Sequence, residues 1–108
     1  MELSPNWTAV ETEVARIIAE SPKPFTAETV SQIDDFLKYI RGRTTVPEVA
    51  KGYWSTLRVM WGKTLEIEVF GDRFEIYKFW DGGSDIRYIL HVPGEPFSAD
   101  LDAELPKT

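Results

Sequence analysis

A chain of 108 residues with 43% hydrophobic and 13% aromatic side chains has the apolar content for one packed domain, which excludes a disordered chain. The formal net charge of −6, with 12 basic residues scattered singly, excludes the concentrated Lys/Arg patch that direct nucleic-acid binding needs. No cysteine is present, so disulfides and thiolate chemistry are excluded, and no apolar run approaches the roughly 20 residues of a membrane span.

The N-terminus is neither basic nor followed by an apolar core, so no secretory signal is expected, and a reducing cytoplasm is the expected location. Ser4, with Pro5 at the first helical position, predicts a helix start. Trp7, Val10, Val14 and Ile17 follow at spacings of three and four as one apolar stripe. Ser21-Pro22-Lys23-Pro24 ends that helix, because proline lacks the N–H a helix interior requires. Thr26 caps a second helix, with Phe25 and Val30 placed for a hydrophobic staple. Val30, Ile33, Leu37 and Ile40 form its apolar stripe, and Gly42 is its expected C-cap between Arg41 and Arg43.

Thr45-Val46-Pro47-Glu48 has the spacing of a capping box and predicts a short third helix to Lys51, ended by Gly52. From Tyr53 to Trp61 the β-branched and aromatic content favours a strand over a helix carrying Tyr53, Leu57 and Trp61 on one side. Thr64 to Phe70 alternates strictly, Gly71-Asp72 turns the chain with the glycine supplying a positive φ, and Arg73 to Trp80 alternates back. Asp81-Gly82-Gly83-Ser84 is a turn, and Asp85 to Val92 a last strand stopped by Pro93-Gly94.

Residues 1–94 then read as a single domain, and residues 95–108 as an acidic tail. Residues 81–108 hold six acids and two bases, so −4 of the −6 lies there. Phe97, Leu101 and Leu105 recur at four behind Ser98, the shape of a short docking helix, although a disordered tail is the favoured reading. The whole is an α+β fold: two N-terminal helices, plus the short third, packed on one face of a three- to four-stranded antiparallel β-meander.

A two-residue turn at Gly71-Asp72 pairs Val69 with Phe74, Glu68 with Glu75 and Glu66 with Tyr77. With Leu65, Ile67 and Val69 toward the helices, the outer face collects Glu66, Glu68, Phe70, Glu75, Tyr77 and Phe79. Two like charges opposite one another are unfavourable, and large aromatics on a wet face mark an interface. The competing reading has Arg58, Arg73 and Arg87 neutralising the glutamates while a loop or the C-terminal segment covers the rings.

The sequence carries no complete catalytic or cofactor motif. Gly62-Lys63-Thr64 lacks the first glycine of a phosphate loop, the position being Leu57. Asp81 to Asp85 lacks the further oxygen ligands and terminal glutamate of a calcium loop. His91, the single histidine, reads as a partly exposed strand residue, and the Glu68–Glu75 pair has no nucleophile beside it.

The resulting expectation is a non-enzymatic, acidic binding or inhibitor protein without cofactor or metal. Its partner would be another protein with a basic surface, not nucleic acid or membrane. The analogy is with toxin-neutralising immunity proteins and phage-encoded inhibitors of bacterial defence, in size and charge alone. Phe70, Tyr77 and Phe79 would be the anchors, Glu66, Glu68 and Glu75 the acidic complement, and Tyr53 and Trp54 the rim. The alternatives are a homodimer formed through the same face, which the like-charged glutamates disfavour, and a small-ligand domain lined by Trp7, Trp54 or Trp61.

Overall fold

The computed structural model describes residues 6–106. Two helices, α1 (Trp7–Glu20) and α2 (Ala27–Ile40), precede five strands, β1 (Glu48–Lys51), β2 (Leu57–Trp61), β3 (Leu65–Val69), β4 (Arg73–Trp80) and β5 (Gly83–Leu90), and a short helix α3 (Ala99–Glu104) closes the chain. The strands form one antiparallel meander in the order β1-β2-β3-β4-β5. The architecture is therefore the expected α+β class, with five strands where three or four were expected.

The helices follow their stripes. Val10, Val14 and Ile17 of α1 are buried, and Ser21 caps its C-terminus. The N-cap is Asn6, whose Oδ1 accepts the Ala9 N–H at 2.8 Å; the expected start at Ser4-Pro5 lies outside the described residues. Thr26 caps α2 by accepting from Thr29 N at 3.1 Å. Gly42 follows the last turn at φ +84°, where a side chain would be strained. The buried stripe of α2 is Ile33, Phe36 and Ile40 with Gln32. Val30 is 37% exposed instead of buried, because Phe36 rather than Val30 lies on the core side.

The segment expected as a third helix is β1. Glu48 to Lys51 pairs with Leu57 to Met60, so the main chain takes its hydrogen bonds from a neighbouring strand instead of its own next turn. The capping-box spacing is a local signal, and the Leu57 strand overrides it. The third helix sits at the other end of the chain. Ser98 caps it by accepting from Leu101 N at 3.2 Å, and Leu101 and Leu105 are buried in the core. The stretch read as a disordered tail thus folds back on its own body.

One face of the sheet carries the core. Leu57, Val59, Ile67, Val69, Phe74 and Ile76 are fully buried there, with Ile33, Phe36, Ile40 and Leu101 from the helices. Phe36 and Phe74 meet at 5.0 Å between centroids. Burial of apolar area at about 25 cal/mol per Å² is the driving term.

The glycine of the β3–β4 turn has a different role from the one expected. Positive φ occurs at Gly42, Gly62, Gly82 and Gly94, not at Gly71. A Cβ at Gly71 would lie 3.0 Å from Glu28 Cβ and 3.2 Å from Thr29 N. Glycine is needed there because the turn abuts the first turn of α2.

Candidate functional site

Opposed residues of an antiparallel ladder point to the same face, so the register defines the outer surface row by row. One row runs Arg58, Glu68, Glu75, Tyr88. The next runs Met60, Glu66, Tyr77, Ile86. Phe79 opposes Ser84, and Arg73 opposes Leu90. The expected pairings of Glu68 with Glu75, Glu66 with Tyr77 and Val69 with Phe74 all occur.

The β2–β3 half of this face is closed. Glu68 is 1% exposed, contrary to its expected place on an open face. The loop at residues 52–56 folds over it, and its Oε2 accepts the Thr56 hydroxyl and the Tyr53 N–H, the latter at 3.0 Å. Gly52 permits the approach, since a Cβ there would stand 2.7 Å from Glu68 Oε2 and closer still to Thr56 Oγ1. Arg58 lies over the Tyr53 ring, 4.8 Å from its centroid, and pairs with Glu66 at 3.5 Å. Phe70, the first expected anchor, is likewise buried at 8% exposure, with the Arg73 guanidinium 3.8 Å from its ring centroid. Neither Glu68 nor Phe70 is available to a partner.

Glu75 is engaged as well. It accepts from Arg73 Nε at 2.8 Å and from the Tyr77 hydroxyl at 2.7 Å. Burial, then this bond and the nearby carboxylates, push the Tyr77 hydroxyl well above its ordinary pKa. Arg58 and Arg73 thus neutralise glutamates as the competing reading supposed. Arg87 does not: it points to the helix-bearing face and bridges Glu104 at 2.9 Å, which Lys78 also contacts.

The β4–β5 half is open. Phe79 is exposed, as are Tyr53 and Trp54 on the loop at the opposite end. The larger exposed surface was missed from the sequence: Ile86 at 52%, Tyr88 at 62% and Leu90 at 83%. Their spacing of two along a strand is the signal that would have found them, because extending the register past β4 sets Ile86 beside Tyr77 and Tyr88 beside Glu75. Beyond Leu90 the strip runs into an open depression of about 550 Å³ bounded by Asp72, His91, Val92, Glu95, Pro96 and Ser98.

His91 is buried, not partly exposed. Gln32 donates its amide N–H to the His91 carbonyl and holds its Nδ1 at 2.8 Å. Nε2 lies 2.9 Å from the Glu95 carbonyl. Phe97 stacks on the ring at 4.5 Å with an interplanar angle of 2°. The imidazole thereby fastens the C-terminal segment to α2, and its two ring nitrogens are taken up by the Gln32 amide and the Glu95 carbonyl. The tryptophans are dispersed in role: Trp61 is core, its indole N–H donating to Thr45 O at 2.9 Å, and Trp54 faces solvent, so the two do not line one enclosed cavity.

Among the described residues no group of three or more His, Cys, Asp or Glu side chains is placed to hold a metal ion, and no helix is long and apolar enough to cross a membrane. Comparison with protein-family models, with curated proteins and with solved structures yields no match to this chain.

Proposed function

We propose that this chain is a non-enzymatic protein-binding domain that engages its partner through the β4–β5 half of the outer sheet face. The observation that supports the reading most is the uncovered strip Ile86, Tyr88 and Leu90, extended by Tyr77 and Phe79. Aromatic and branched side chains standing in a row from a rigid strand are good anchors, since little rotamer entropy is lost on contact. The anchors are thus displaced by one strand from those the hairpin alone suggested. The net charge of −6 favours encounter with a basic partner in the cytoplasm, accelerating association more than deepening affinity. An inhibitor of that partner is the specific form this function takes.

The test is affinity capture from host lysate with wild-type protein beside Tyr88→Ala and Phe79→Ala, followed by titration of the captured partner. Each variant is expected to weaken binding by more than about 1 kcal/mol, on a hot-spot scale of roughly 2 kcal/mol, while melting like wild type. Full-strength binding by both variants refutes the assignment of this face.

A further inference from the structure

The sheet has two edges. β1 is four residues long, follows the buried Pro47 and lies against α1. β5 is eight residues long, and among the described residues β4 is its sole strand neighbour. The ladder determines which of its main-chain groups stay open. His91 donates its N–H to Asp72 O at 3.0 Å. By the alternation of an antiparallel pair, Ile89, Arg87 and Asp85 then direct their N–H and C=O groups at β4. Leu90, Tyr88, Ile86 and Ser84 direct theirs away from the sheet. Such a row is a template for another strand.

We infer that the strand it takes is β5 of a second copy of this chain, paired antiparallel about a two-fold axis through Ile86. Only the outward-directed residues can form hydrogen-bonded pairs, so Ile86 opposes its own counterpart and Ser84 opposes Tyr88 of the second copy. Between them, each Asp85 faces the other copy's Arg87. These are the non-hydrogen-bonded positions, where Cα atoms approach to about 4.5 Å and side chains meet most closely. Both residues suit the pairing: Asp85 is exposed, and its carboxylate has no hydrogen bond or ion pair among the described residues. Arg87 is half exposed, uses one nitrogen on Glu104, and has further donors in its guanidinium.

Charge selects this register over its neighbours. An axis through Tyr88 would set Arg87 against Ile89, and one through Ser84 would set Asp85 against Gly83; neither pairs the two charges. The arrangement also escapes the objection to face-on association, since Glu66, Glu68 and Glu75 stay on one outer surface and are not pressed against their copies. Two five-stranded sheets become one, and the row Tyr77–Ile86 continues across the joint into Ile86 and Tyr77 of the second copy. The inference rests on the β5 main chain and its charges, and stands or falls apart from the partner proposed above.

Sedimentation equilibrium over a wide concentration range tests it. The wild type is expected to approach twice the 12.4 kDa chain mass. Asp85→Arg, which sets arginine against arginine twice, is expected to raise the dimer dissociation constant about tenfold. The swap Asp85→Arg/Arg87→Asp is expected to restore it. Ser84→Pro, which removes an outward N–H and no β4 bond, is expected to abolish the dimer without lowering the melting temperature. A wild type that stays monomeric at every concentration overturns the inference. So does a dimer indifferent to Asp85→Arg and Ser84→Pro, or a double swap that fails to rescue. In the monomeric case the Tyr88→Ala capture result still decides the partner proposal independently.

Discussion

The β1–β2 end and the β5 end of one sheet receive opposite treatment. At the first, a short edge strand lies against α1, a loop closes over Glu68, and Arg58 stacks on Tyr53 and pairs with Glu66. At the second, an eight-residue edge strand carries Ile86, Tyr88 and Leu90 into solvent, with none of the described residues covering them. Folded proteins generally blunt both edges, because a bare edge recruits other strands. The β1–β2 end meets that rule, and the β5 end does not.

The contrast breaks most sharply at Glu68. Replacing it with alanine strands the Thr56 hydroxyl and the Tyr53 N–H in a buried site and leaves a cavity. Glu68→Ala is therefore expected to cost about 3 kcal/mol in urea unfolding, less a few tenths from relief of its repulsion with Glu75. Gly52→Ala attacks the same closure by crowding Glu68 Oε2 and Thr56 Oγ1, at about 2 kcal/mol. A loss under about 0.5 kcal/mol in either would mean the loop does not seal that end.

Tyr77 stands where the closed half meets the open half. Tyr77→Phe removes its bond to Glu75 and is expected to cost about 1 kcal/mol near neutral pH. The folded protein holds this phenol above the ordinary 10.0. Above pH 10 the unfolded chain has therefore released a proton that the folded one retains, and stability falls as pH rises. Denaturation curves taken across that range should show the variant's deficit narrowing, because it lacks that contribution. A constant deficit would remove Tyr77 from the alkaline response.

At the open end Leu90→Ser is expected to shift stability by less than about 0.5 kcal/mol, since Leu90 is exposed and buries little in the isolated chain. A large loss there would show that the strip belongs to the core.

Much of the fold was legible in the residues. Period-two alternation around Gly71-Asp72 set the register that places Glu68 opposite Glu75, and spacings of three and four set the buried sides of α1 and of most of α2. What misled was local chemistry overruled from a distance. Thr45 to Glu48 has the pattern of a helix start, but its main chain finds partners in Leu57 to Met60. Glu68 and Phe70 alternate onto the outer face as expected, yet burial there depends on the loop at 52–56 and on Arg73. Strand alternation says which way a side chain points, and nothing about what later covers it. The Ile86, Tyr88, Leu90 strip was legible, and the step needed was to carry the register one strand further.

The clamp at His91 bears on the order in which the chain assembles. Successive hairpins of the meander close over a few residues each, whereas Gln32 and His91 are 59 residues apart, and the Tyr39–Asp102 bond spans 63. Loop closure over such distances is entropically costly and is repaid only once the rest is in place. Phe97, Leu101 and Leu105 are therefore expected to dock last, over a sheet already formed. The same segment is then expected to open first, which hydrogen exchange faster at Leu101 and Leu105 than in β2, β3 and β4 would register.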